Sequence, residues 1–336
     1  MSTKRPQSAS SLDALFDVAT EAMEVTRATA VVGDAAGTPQ MLPLGSIRPD
    51  PFQARRILPP AVRTGFVTGQ LDPPGALAAW RALAENDPRE GELLQDQVVS
   101  LAASIRQQQL VNPVTVCADG GGGYLLETGE RRWWAHWGLV SVENVPAFEQ
   151  IRAQVVPAPS PERQAAENLQ DSPLTAIQEA CQVARLLLHL TGRDTDHVVA
   201  ILAGEGGEEE STLVGYELYR VALELERGDV YGKWPVVAQV MGRGERHLLR
   251  QLAILKLADD ALSLSDRAGL TEGQLRPLVS MASDTDADRQ RQIVSLVARY
   301  ALPGAEVARL VKTADLRAAE TRIRRQKGLD DEEDAP

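Results

Sequence analysis

Residues Glu127–His136 read ETGERRWWAH, and the organisation of the chain follows from this stretch. Tyr124–Glu127 just upstream is strand-like, whereas Gly129–Trp137 opens a helix. A strand that ends where a helix starts gathers free backbone N–H groups and the positive end of a helix dipole at one point, here Thr128 and Gly129. Arg131 and Arg132 project from the same turn, and guanidinium forks match phosphate oxygens two bonds at a time. The segment therefore reads as an anion site, with Glu130 placed to orient water or a metal ion. A solvated helix start with two surface arginines is the competing reading.

Outward from this point, Pro113–Cys117 is β-branched and strand-like, Ala118–Gly123 is a glycine turn, and Val142–Phe148 is expected as a further strand. Gln97–Gln109 places Val98, Leu101 and Ile105 on one helical face. Met41–Arg56, MLPLGSIRPDPFQARR, reads as a short strand running into a proline-rich loop. These elements make a small mixed α/β unit over 41–160, preceded by a flexible arm (1–40) and interrupted by an insertion at 57–97 with one helix-like patch, Ala76–Glu85. From Pro161 the periodicity is helical throughout. The expected fold class is α+β, with an all-α unit over 161–315, an acidic insertion near 202–230 and a charged tail at 316–336.

The 336 residues include 35 Lys+Arg and 47 Asp+Glu, a net charge of −12. A negative sum argues against a nucleic-acid partner, but its distribution does not. Leu202–Val230 carries a net −6 and Asp330–Asp334 a net −5. The absence of a run of about 18 apolar residues excludes a membrane span, and the N-terminus lacks the apolar core of a signal peptide, so a cytoplasmic protein is expected. Cys117 and Cys181 are too few for a disulfide framework and read as structural. Trp133, Trp134 and Trp137 read as packing side chains, and Arg317–Lys327 as a solvated helix end.

Two further segments carry chemistry. Glu162–Ala180, ERQAAENLQDSPLTAIQEA, offers Glu167 and Asn168 side by side as hard oxygen ligands suited to Mg²⁺ beside a phosphate; a plain helix end is the alternative. Lys233–Leu257, KWPVVAQVMGRGERHLLRQLAILKL, reads as a helix-turn-helix. In it Val236, Val237 and Val240 share one face, Gly242–Gly244 makes the turn, and Leu248, Leu249, Leu252 and Leu255 are expected to be buried. Its outward face would present Arg243, Arg246, His247, Arg250 and Gln251, with a local charge of +4 suited to double-stranded DNA.

In order and spacing these segments resemble the ParB family of chromosome and plasmid partition proteins. IRPDPFQARR (Ile47–Arg56), LAASIRQQQLVNPVTV (Leu101–Val116), YLLETGERRWWA (Tyr124–Ala135) and the Glu-Asn-Leu-Gln stretch from Glu167 are similar to four boxes of that family, and the segment from Gly242 to Val279 to its helix-turn-helix region. The resemblance implies an N-terminal domain that binds CTP with Mg²⁺, hydrolyses it slowly and closes a homodimer into a sliding clamp on a specific DNA site. By position it implies Gln53 and Arg55 near the base and ribose, and Thr128, Gly129, Arg131 and Arg132 on the phosphates. Glu167 and Asn168 would hold the metal, and Glu130 and Glu167 would serve hydrolysis. A partition ATPase partner and association with the nucleoid are implied as well. Asp171, where the family usually has Arg, the long insertion and the short acidic tail depart from the pattern. They favour an alternative, a transcriptional or nucleoid-occlusion regulator without nucleotide switching.

Overall fold

Five short strands, Gln40–Pro43 (β1), Ile47–Pro49 (β2), Val114–Ala118 (β3), Tyr124–Thr128 (β4) and Gln150–Val156 (β5), form one mixed sheet in the order β1-β5-β3-β4-β2. The β1–β5 and β3–β4 pairs are antiparallel, and β3–β5 and β2–β4 are parallel. In this computed structural model residues 38–109, 112–171, 173–193, 215–281 and 286–329 are described. The arm at 1–37, the expected helix Asp194–Leu202, the acids Glu205–Glu210, the tail Asp330–Asp334 and the side chain of Asp171 lie outside the described residues.

The β3–β4 turn is closed by Asp119, whose carboxylate accepts from the N–H groups of Gly121 and Gly123, each at 2.9 Å. The strand expected at Val142–Phe148 is instead a bend and a 3₁₀ turn at Pro146–Phe148, and the strand follows at β5. Asn144 adopts φ 55° and Pro146 has no N–H to donate, so this stretch cannot carry a ladder. In β5 the residues Ile151 and Ala153 alternate inward, as a half-buried strand requires.

The insertion contains three helices, Pro60–Val67 (α1), Pro73–Ala84 (α2) and Pro88–Leu94 (α3), each with proline in its first turn. A π-helical turn at Gln95–Val99 leads into α4, Ser100–Gln108. Leu77 and Trp80 of α2 pack with Trp133 and Trp134 of α5, Glu130–Ser141, over the sheet. The insertion thus completes the N-terminal core.

The helical layer comprises Pro161–Asp171 (α6), Ala176–Leu190 (α7), Glu217–Arg220 (α8), Trp234–Met241 (α9), Glu245–Ala253 (α10), Asp259–Ala268 (α11), Glu272–Leu275 (α12), Ala287–Tyr300 (α13), Gly304–Lys312 (α14) and Leu316–Gln326 (α15). The buried α7 is its centre: a Thr175/Gln178 capping box starts it, and Ile177, Cys181, Val183, Leu186 and Leu187 are fully enclosed. A single helix expected across Leu213–Arg227 is reduced to α8 and one 3₁₀ turn. Its described part is also no solvated acidic flap. Tyr216, Leu218 and Tyr219 are buried, and Tyr219 stacks on Phe52 at 5.1 Å and donates to the carbonyl of Gln53 at 2.7 Å. Arg185 of α7 reaches the same loop, pairing with Asp50 at 2.5 Å and donating to the Phe52 carbonyl. The helical layer thereby grips residues 50–56, the loop that carries Gln53 and Arg55.

Candidate nucleotide-binding cleft and nucleic-acid interface

Where β4 ends, Gly129 turns the chain into α5 at φ 90°, a conformation that favours glycine. A Cβ there would lie 2.9 Å from Val114 Cγ1 and 3.1 Å from Arg132 Cζ, so the turn has no room for a side chain. The first N–H groups of α5 open onto a cleft of about 630 Å³, a size typical of small-ligand sites. Gln53, Arg55, Thr128, Gly129, Glu130, Arg131, Arg132, Glu167 and Asn168 all line it. Residues more than 100 positions apart in sequence are thus brought to one surface.

The cationic side is held in place by backbone oxygens. Arg132 donates through Nη1 to the carbonyls of Asn112 (3.1 Å) and Pro113 (2.6 Å) and through Nη2 to Glu167. Arg131 donates to the Asp96 carbonyl at 2.9 Å, and Arg55 to that of Asn168 at 3.3 Å. Gln53 is buried and its amide donates to the Leu126 and Glu127 carbonyls, so it fastens the 50–56 loop to β4 as well as lining the cleft. Glu130 accepts from Trp134 Nε1 at 3.0 Å. Burial pushes its carboxyl up to about 7, partly offset by the Trp134 bond and the charges of Arg63 and Arg55. A carboxyl that titrates near neutrality is suited to accepting a proton from water.

Glu167 and Asn168 sit on α6, and the orientation of α6 is set by Glu127, which sequence reading passed over. The buried Glu127 carboxylate takes two bonds from Arg163, at 2.5 and 2.7 Å, and one from the Ser160 N–H at 2.9 Å, while Gln164 donates to its carbonyl. A carboxylate at the inner end of an apolar strand was the available signal, since burial demands a partner. Asn168 Nδ2 donates to Gln182 of α7 at 3.1 Å, which orients the carboxamide. Among the described residues no three His, Cys, Asp or Glu side chains cluster as a closed metal site. One carboxylate and one amide fit a Mg²⁺ ion that keeps its waters and takes phosphate oxygens, the usual manner of binding that ion.

On the helical side, α9 and α10 are joined by the turn Gly242–Gly244, with Gly242 at φ 60° ending α9. Val237, Leu248 and Leu252 are buried, whereas Val236 and Leu249 are exposed, contrary to the expected apolar face. Arg243, Arg246 and Arg250 face solvent. His247 and Gln251 depart from the outward face predicted for them. Gln251 is buried and donates to Glu179 Oε2 at 2.7 Å, and His247 Nε2 lies 3.1 Å from Glu179 Oε1. The turn of helix that carries them faces α7, where Glu179 is the polar partner.

Residues 81–158 match the ParB N-terminal domain family, a span that includes β3, β4, α5 and β5. Over 227 residues the chain is 25% identical to the probable chromosome-partitioning protein ParB of Vibrio cholerae, and over 218 residues 23% identical to that of Coxiella burnetii. These alignments cover 67% and 65% of this chain and 60% and 58% of the relatives, so the chain spans about three fifths of their length. The chain belongs to the ParB family. Among solved structures, a C-terminally truncated ParB of Caulobacter crescentus complexed to the centromeric parS site aligns with 82% of the chain and all of its own length, at 17% identity and a TM-score of 0.31. The same protein complexed with CTP-gamma-S aligns with 77% and 99%, at 17% identity and a TM-score of 0.24. The membership rests on the domain match and the curated relatives. The matched ParB domain contains Thr128–Arg132; Gln53, Arg55, Glu167 and Asn168 lie outside it and join the cleft through tertiary packing.

Proposed function

We propose that this ParB-family chain is a partition protein that binds a specific DNA site through α9–α10 and is switched by CTP with Mg²⁺ in the cleft. The observation that carries the reading is the convergence of the family-like boxes on one cleft, with three arginines and a helix N-terminus on its wall. Arg131, Arg132 and the α5 N–H groups hold the phosphates, and Gln53 and Arg55 hold the base and ribose side. Mg²⁺ at Glu167 and Asn168 would neutralise phosphate charge. Glu130 takes the proton of the attacking water in a slow hydrolysis, and Glu167, released from Arg132, assists.

The route from cleft to DNA runs through α7. Asn168 is bonded to Gln182, and one turn earlier on the same helix Glu179 holds His247 and Gln251 of α10. A nucleotide that prefers one arrangement of α6 against α7 biases how α10 is presented. Homodimerisation, a partition ATPase partner and association with the nucleoid belong to the same reading. Among the described residues no helix is long and apolar enough to cross a membrane. The bonds that already satisfy Arg132 favour the second reading, a DNA-binding regulator without nucleotide switching.

Calorimetry with CTP, UTP, ATP and GTP, each with Mg²⁺ and with or without site DNA, separates the two. Selective CTP binding is expected. Absence of any CTP heat in both conditions would leave only the regulator.

A further inference from the structure

A second cavity, of about 170 Å³, lies where α1 of the insertion meets α11 of the helical layer, and the nucleotide reading makes no use of it. Arg56, Arg63, Thr64, Tyr216, Ser263 and Arg267 are on its wall. Arg63 is 8% exposed and donates through Nη2 to the Pro51 carbonyl at 2.8 Å, yet its buried Nε has no hydrogen-bond partner and its guanidinium forms no ion pair. A guanidinium that has left water without a counter-charge is among the costlier things a fold can contain.

The nearby carboxylates are committed elsewhere. Glu90 pairs with Arg267 and accepts from Trp80, Asp259 pairs with Arg220, and Asp266 accepts from Thr175 and Gln178. Glu130 lies on the cleft side of Arg63, beyond ion-pair reach, and accepts from Trp134. The charge of Arg56 repels that of Arg63, which adds to the demand for an anion. The volume is more than ten times the ~15 Å³ that admits one water molecule, so space is not limiting.

We propose that this cavity binds a small oxyanion, of the class of inorganic phosphate, through Arg63 Nε with the Tyr216 and Ser263 hydroxyls facing it. Such an ion ties α1 to α11 beside the Glu90–Arg267 pair and braces the insertion against the helical layer. Because the site is separate from the cleft, it stands whether or not CTP is bound there.

The test uses the full chain carrying Arg131→Ala and Arg132→Ala, so that phosphate cannot act through the cleft. Inorganic phosphate should raise Tm saturably, by on the order of 2 °C at a tenfold excess over Kd, and Arg63→Met should abolish the response. Chloride at equal ionic strength sets the baseline, since excluded-salt stabilisation does not saturate. Crystals soaked in selenate should show an anomalous peak within hydrogen-bonding distance of Arg63 Nε. A peak elsewhere only, water alone at Arg63, or an equal phosphate response in the Arg63→Met chain would each overturn the proposal.

Discussion

The cleft and the α9–α10 face are both basic, but their arginines are held differently. In the cleft Arg131 and Arg132 are fastened to the carbonyls of Asp96, Asn112 and Pro113, and Arg132 also to Glu167, before any ligand arrives. On α10 the exposed Arg250 lies 3.6 Å from Glu272, and Arg243 in the turn lies 3.8 Å from Glu179. Surface pairs of this kind contribute about 0–1 kcal/mol and are readily exchanged for phosphate. A preorganised site suits a small ligand whose geometry must be read; a loosely paired surface suits a polyanion approached from solution.

The largest expected effect is on the preorganised side. Arg131→Ala with Arg132→Ala removes charge-assisted bonds worth roughly 1.5–3 kcal/mol each, so CTP affinity measured by calorimetry should fall at least about 100-fold. A loss below about tenfold would show that the cleft arginines hold structure and not ligand. On the other face, Arg246→Ala with Arg250→Ala should weaken binding to the specific site by about 1–3 kcal/mol per residue and flatten its salt dependence. Gln251→Ala should do neither. It leaves Glu179 short of a donor and should cost about 1–3 kcal/mol in urea unfolding while DNA site preference is retained. A change of site preference in that variant would mean that α10 is rotated from the arrangement described.

Gly129→Ala sharpens the contrast by acting on backbone alone. Positive φ and the Val114 contact should together destabilise the chain by about 1–3 kcal/mol and displace the N–H groups that face the cleft, without touching α10. The smallest effect concerns Glu130. Its carboxyl is raised from 4.5 to about 7, so between these values the folded chain holds a proton that the unfolded chain has lost. Stability therefore falls as pH rises through that window. Glu130→Gln should remove this fall, giving a Tm advantage at pH 8 that is absent at pH 4; an equal offset at both would mean that Glu130 does not titrate near neutrality.

Much of the cleft was legible because its chemistry is concentrated in short boxes: a glycine before a pair of arginines, and a carboxylate next to an amide. The helices of the second half were legible to within a residue or two where apolar periodicity and caps agree, as in α9 and α14. What escaped were side chains whose role depends on a distant partner. Nothing local distinguishes Gln251, which is buried against Glu179, from Arg250, which is not. The helical content of the insertion was hidden because Pro60, Pro73 and Pro88 read as loop residues, whereas each occupies a first turn, where the missing N–H is no loss.

The sequence alone determined the division near residue 160, the strand-to-helix turn at Gly129 and the basic character of α9–α10, because periodicity, turn chemistry and charge are local properties. Only the tertiary structure decided that Gln53, Arg132 and Glu167 share one cleft, that the described part of the 202–230 segment packs into the core, and that Arg63 is buried without a counter-charge. Those outcomes depend on contacts across scores of residues, where desolvation and packing outweigh the preferences of the residues themselves.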